Sequence, residues 1–171
     1  PLEETMQALV DIVRSGKALY AGISNYPVEA AEYAYNYLRY HDTPCLLHQL
    51  KYSILHRVPE NEGLLQQAKE AGSGFIAFSP LAQGLLTDRY LGGIPEDSRA
   101  ARDFTLKKSS ITAELVEKLK KLDEIASDRG QSLAQMALSW VLKDDLVTSV
   151  IVGASSISQL DDNLQAVMNT D

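Results

Sequence analysis

A single cysteine, Cys45, stands in 171 residues. That excludes a scaffold stapled by internal disulfides and suits a reducing, cytoplasmic setting. At the head of "CLLHQL" it reads as a small buried strand residue. Basic side chains are also short in number, 16 against 23 acidic, for a net charge of −7. An acidic chain has little purchase on nucleic acid, whose binding is driven by neutralising phosphates. No apolar run approaches the ~20 residues needed to cross a bilayer, and no basic-then-apolar leader opens the chain. Neither nucleic acid nor membrane is therefore expected as a partner. The three histidines, His41, His48 and His56, lack the spacing and companions of a metal site, so no metal is expected.

Hydrophobic residues make up 45% of the chain, enough for one respectable core and one domain over 1–171. They are arranged as short apolar strands alternating with helices. Met6, Leu9, Val10 and Val13 fall at helical spacing in "LEETMQALVDIVRSGK", which stops at Gly16. "ALYAGI" (18–23), "CLLHQL" (45–50), "GFIAFS" (74–79) and "SVIVG" (149–153) read as strands. Helices are expected from Pro27, over 61–72, in "TAELVEKLKKLDEIASDRG" and "SLAQMALSWVLKD", and again near the end, closing by Met168. Tyr33, Tyr37 and Tyr40, also at helical spacing, read as packing surface. A stretch from Pro80 to about Ser109 has no such pattern and exceeds the usual loop length, a hint of function.

Continuous apolar strands alternating with helices indicate a parallel sheet covered by helices. An open doubly wound sheet and an arc of a (β/α)8 barrel both satisfy the pattern. In either, ligands bind at the carboxyl ends of the strands. Those ends are polar here: Ser24 and Asn25 after the first strand, Gln49 within the second, Ser79 and Pro80 and then Gln83 and Gly84 after the third. After the fourth come Gly153, Ser155, Gln159, Asp162 and Asn163. Amides and hydroxyls together can read an amide-bearing ligand by donor and acceptor. Each position also fits a turn or a buried backbone partner. The last of them, "SVIVGASSISQLDDN", aims a helix start at a small-residue turn. Such a start offers unpaired N–H groups and positive potential to an anion such as phosphate. Ser155 or Ser156 as a plain helix cap explains it equally.

Four segments carry a resemblance: "GKALYAGISNY", "HQLKYSIL", "IAFSPLAQGLLTDRYLGGIPEDSR" and "QSLAQMALSWVLKDDLVTSVIVGASSISQLDDN". In order and spacing they resemble the second half of an aldo-keto reductase, in the branch that contains L-glyceraldehyde 3-phosphate reductases and the β-subunits of voltage-gated potassium channels. The resemblance implies an α/β fold, the fifth to eighth units of a (β/α)8 TIM barrel, incomplete as given. It implies NADP (NADPH) as cofactor and hydride transfer to a small carbonyl substrate, an aldehyde or ketone. By the same resemblance Ser24, Asn25 and Gln49 hold the nicotinamide carboxamide, with Phe78 beside the ring. Ser79, Pro80, Leu81, Gln83 and Gly84 form the loop passing the pyrophosphate, and Arg89 and Arg99 supply cations to the phosphates. The turn Gly153–Ser155 receives the adenosine end, with Ser155 and Gln159 near the 2′-phosphate and Asp162 and Asn163 near adenine. Many family members have lysine where this chain has Ala154 and arginine where it has Gln159; within the resembled branch the neutral version is usual.

The family's catalytic Asp, Tyr, Lys and His belong to its first four units, and none of those motifs occurs here. No catalytic residue is therefore assigned. Lys51 and Tyr52 follow Gln49, but nothing marks either as a tuned acid, and Tyr52 reads as packing or pocket wall. A typical barrel has about 250 residues, and a four-stranded arc leaves two open edges. The chain is expected to be part of a longer polypeptide whose N-terminal half is its main partner, and to be inactive alone. Self-association of copies is left open. A non-catalytic, nucleotide-sensing or interaction module is the alternative. A phosphate-binding barrel isomerase or aldolase explains the Gly–Ser turn but not Ser24, Asn25 and Gln49 together.

Overall fold

The computed structural model describes residues 1–170, which divide into two compact units. The first comprises Pro1–Tyr52, His56–Phe78 and Asp144–Ile151. It holds helices α1 (Leu2–Arg14), α2 (Val28–Tyr40), α3 (Val58–Asn61) and α4 (Leu64–Glu70), and strands β1 (Ala21–Ser24), β2 (Cys45–Lys51), β3 (Gly74–Phe78) and β4 (Ser149–Ile151). The strands form one parallel sheet in the order β1-β2-β3-β4. This is the parallel α/β arrangement that the alternating pattern implies.

Local chemistry explains the element ends. Helix α1 buries Met6 and Val10 completely, one turn apart. It ends where Gly16, at φ +72°, lets its own N–H reach Val13 and the Lys17 N–H reach Ile12. Helix α2 ends in the same way with Asp42, at φ +54°, in the left-handed place. The helix expected over 61–72 begins only at Leu64, because Gly63 at φ +78° precedes α4 and separates it from the short α3. Strand β1 begins later than its apolar run suggests. Leu19 and Tyr20 are exposed, and pairing with β2 starts only at Ala21, opposite Cys45. Strand β4 likewise stops at Ile151, short of Val152 and Gly153.

The sheet has two unlike faces. Ala21, Ile23, His48, Leu50, Phe75 and Ala77 are buried on one. On the other, Ser24 and Ile151 are exposed and Leu47, Gln49, Lys51, Ile76 and Phe78 are half-buried. Within the covered face His48 is fully buried, 2.8 Å from the Tyr35 hydroxyl through Nδ1, while its Nε2 has no hydrogen-bond partner.

The second unit comprises Ser53–Leu55, Ser79–Lys143 and the segment from Val152 onward. Its helices are α5 (Ala113–Asp128), α6 (Leu133–Val141) and α7 (Ile157–Leu164). Thr112 caps α5, and Ser132 with Gln135 forms a reciprocal capping box at α6. The unpatterned stretch from Pro80 to Ser109 is not a loose loop. Leu86, Tyr90, Ala100 and Leu106 bury themselves with Leu119 of α5 and Ala137 of α6, and the Tyr90 hydroxyl accepts the Ala100 N–H.

Candidate functional site

In the first unit, strand register does the positioning. Ser24 is paired with Gln49, and Gln49 with Ile76. The Ser24 hydroxyl donates to the Gln49 backbone carbonyl at 2.9 Å, and the Asn25 N–H donates to the same oxygen at 3.1 Å. Asn25 Nδ2 then donates to Ser24 Oγ at 3.1 Å. Ser24, Asn25 and the distant Gln49 thus form one hydrogen-bonded group at the carboxyl end of β1 and β2. The Gln49 side-chain amide is left with both donor and acceptor to offer. Asn25 holds φ +59°, a left-handed conformation that a non-glycine residue adopts at some cost. Phe78 ends β3, half-buried, opposite Lys51.

Lys51 follows Gln49 without the marks of a tuned acid, and alternation along β2 sets its face. Two residues beyond Gln49, it lies on the same face, one step nearer the carboxyl edge. Tyr52, on the other side, is buried edge-on against Phe75 and donates to Glu60 at 3.0 Å. Burial and the adjacent Glu60 carboxylate push its hydroxyl pKa up, which marks a structural phenol and not a ready proton donor. The tyrosine stripe on α2 is only partly packing. Tyr37 donates to Gln7, whereas Tyr33 and Tyr40 are exposed.

In the second unit, backbone strain follows β3 directly. Ser79, Ala82 and Gln83 have φ of +55°, +47° and +62°, and Gly84 has +96°. Non-glycine residues of this kind cluster at functional sites, where surrounding structure holds them in place. The neighbouring Pro80 is buried and Leu81 half-buried. Farther along, the Arg89 guanidinium is engaged by Asp97 at 2.7 Å, while Arg99 is exposed.

At the start of α7 the two serines divide the work. Ser156 is the cap, its hydroxyl accepting the Gln159 N–H at 3.2 Å. Ser155 turns the other way: its N–H and hydroxyl donate to Gln159 Oε1 at 2.8 and 2.9 Å. With that oxygen doubly engaged, the Gln159 amide nitrogen is the group left to donate. Gly153, Ser155 and Gln159 are all exposed. Asp162, three residues beyond Gln159 on α7, is half-buried and engaged. Its carboxylate accepts from Ser132 Oγ at 3.0 Å and from Gln135 Nε2 at 2.6 Å, tying α7 to the start of α6, and Asn163 is buried beside it.

Among the described residues no cluster of His, Cys, Asp and Glu could hold a metal ion, and no helix is long and apolar enough to cross a membrane.

The model of the aldo/keto reductase family matches residues 1–170. The chain is 50% identical over 173 residues to the L-glyceraldehyde 3-phosphate reductase of Escherichia coli K12, which covers 99% of this chain and 50% of that protein. It is 32% identical over 176 residues to a Schizosaccharomyces pombe protein named as a voltage-gated potassium channel subunit beta, covering 98% of this chain and 50% of that one. Among solved structures it matches a thermostable aldo-keto reductase in complex with the inhibitor epalrestat. The TM-score is 0.70 at 27% identity, over 99% of this chain and 50% of that chain. The chain therefore spans about half the length of the relatives it matches.

Proposed function

Since the chain belongs to the aldo/keto reductase family, we propose that it is the cofactor-holding half, units five to eight of the barrel, of a cytoplasmic NADP-dependent oxidoreductase acting on a small aldehyde or ketone. The observation that carries this reading is the hydrogen-bonded group of Ser24, Asn25 and Gln49 at the carboxyl end of parallel strands. A carboxamide needs one donor and one acceptor, and the Gln49 side chain offers both.

Each unit, taken by itself, offers groups that such a cofactor needs. Ser24, Asn25 and Gln49 would hold the nicotinamide amide, with Phe78 beside the ring. The strained backbone from Ser79 to Gly84 would pass the pyrophosphate. Gln159, whose amide nitrogen is left as a donor, and the start of α7 would hold a 2′-phosphate by hydrogen bonds and dipole. Arg99 would add a cation. Arg89 would have to leave Asp97 to do the same. Asp162 and Asn163 would lie near adenine, with the Asp162 carboxylate also tying α7 to α6.

When bound, NADPH supplies a hydride to the substrate carbonyl carbon. This chain's part is to orient the nicotinamide and fix the phosphates. The proton for the carbonyl oxygen would come from an acid on the other half of the polypeptide, so the segment alone would be inactive.

The likeness to a protein named as a channel subunit favours one second reading, a reductase-like module that senses nucleotide without turnover. Following NADPH oxidation by the intact polypeptide with glyceraldehyde as substrate separates the two. Turnover dependent on aldehyde supports the enzyme; tight NADPH binding with no turnover supports the module.

A further inference from the structure

Helix α7 has little apolar hold on the rest of its unit. Ile157, Leu160 and Leu164 are exposed, and Asn163 is the residue it buries. Eight residues alone make only a marginal helix. The polar tie that fixes its rotation is the Asp162 carboxylate, which meets the capping box of α6. In that box the Gln135 N–H donates to Ser132 Oγ at 3.2 Å, and the Ser132 N–H donates to Gln135 Oε1 at 3.1 Å. Each side chain keeps a further donor, and both turn to Asp162. Ser132 Oγ donates to Oδ2 at 3.0 Å and Gln135 Nε2 to Oδ1 at 2.6 Å. The next tie, from the Ser139 hydroxyl to the Ala166 carbonyl at 2.8 Å, lies past the end of the helix. A capping box takes Glu or Gln at this place. Here Gln is the one that serves, because a carboxylate would face Asp162 with no donor.

We propose that Gln135 is a positioning residue for the choice between NADPH and NADH, an inference that rests on the reading of Gln159 as the 2′-phosphate ligand. Asp162 stands three residues after Gln159, its neighbour along the helix surface. Through Asp162, Gln135 sets the rotation of α7 and with it the place from which the Gln159 amide nitrogen meets the phosphate. Ser155 holds Gln159 Oε1, so that amide moves with the first turn of the helix and not by itself.

The experiment uses the intact polypeptide and its Gln135→Glu, Asp162→Asn and Gln159→Ala variants. Gln135→Glu keeps the acceptor that the Ser132 N–H needs and removes the donor to Asp162. Calorimetric titration should show the ratio of NADPH to NADH affinity falling about tenfold, the low end of the loss expected for Gln159→Ala itself. Adding Asp162→Asn exchanges amide and carboxylate, so that donor again meets acceptor, and should restore most of the ratio. Any contact of residue 162 with adenine is common to both cofactors and cancels. Combining Gln135→Glu with Gln159→Ala should lower the ratio no further than Gln159→Ala alone, because one acts through the other. An unchanged ratio in Gln135→Glu, a failed rescue, or additive losses would each overturn the proposal. Hydrogen exchange without cofactor reads the tie separately. Backbone amides from Gln159 to Leu164 should exchange faster in Gln135→Glu and recover when Asp162→Asn is added; unchanged rates would also overturn it. If Gln159→Ala leaves the ratio unchanged, the reading of the 2′-phosphate end fails, while exchange still reports whether Gln135 holds α7.

Discussion

The Ser24 hydroxyl donates to the backbone carbonyl of Gln49, its register partner on β2. That bond turns a strand-end serine into a brace for the residue beside it, because Asn25 donates in turn to Ser24 Oγ. Ser24→Ala should free the Asn25 side chain and cost about 1 kcal/mol, close to the net worth of one hydrogen bond. Affinities for NADPH and NADH should fall together, since the nicotinamide ends are identical. Calorimetric titration of the intact variant with both cofactors checks this; a loss confined to one cofactor would contradict it.

Gly22 stands two residues before Ser24, paired with Leu47 of β2. A Cβ there would lie 2.9 Å from the Leu47 backbone oxygen, and backbone cannot swing aside as a flexible side chain can. Gly22→Ala should therefore force β1 away from β2 and destabilise the fold by about 1–3 kcal/mol, the usual range for overpacking. Displacing β1 also displaces Ser24, so cofactor affinity should fall in parallel. Thermal unfolding of the variant beside the unaltered protein is the measurement. An unchanged midpoint would show that the strands have room to spare.

His48 introduces a pH dependence. Burial lowers its pKa from 6.5 to about 4, so the folded state holds the imidazole neutral while the unfolded chain protonates it near the ordinary value. Between those values the unfolded state binds more protons. Its contribution to stability is full above about pH 6.5 and is lost as pH falls toward about 4, by at most roughly 1.4 kcal/mol per pH unit. Urea unfolding at pH 7 and pH 5 should show the drop. A His48→Leu, Tyr35→Phe double variant removes both hydrogen-bond partners together and should flatten the dependence in that window. An equally steep dependence in the double variant would place its origin elsewhere.

Much of this was legible in the sequence because it depends on local pattern. Met6 and Val10 one turn apart, the Gly16 stop, and apolar strands at regular intervals are enough for a parallel α/β fold. The polar rim was legible for a related reason: Ser24, Asn25 and Gln49 interrupt apolar strands where a core would prefer none. What escaped was set by tertiary geometry. Gly63 takes a left-handed φ, so the helix expected from 61 begins only at Leu64, and the short α3 before it (Val58–Asn61) is not foreseen. Leu19 and Tyr20 look like strand but have no partner, since β2 starts only at Cys45. Neither Lys51 nor Tyr52 is marked in the sequence as a tuned acid, and strand alternation separates the two, sending Lys51 to the Gln49 face and Tyr52 into the core.

The measurement that bears most directly on this account is titration of the intact polypeptide with NADPH and NADH, comparing Gln159→Ala with Gln49→Ala. The extra phosphate of NADPH lies on the adenosine ribose, so the residue that meets it should discriminate, and the residue at the nicotinamide should not. Losing a hydrogen bond to a charged group costs about 1.5–3 kcal/mol, or one to two decades of affinity. Gln159→Ala should weaken NADPH by about that much and leave NADH nearly unchanged, whereas Gln49→Ala should weaken both alike. Equal losses of the two cofactors in Gln159→Ala, or a selective loss in Gln49→Ala, would contradict the assignment of the two ends.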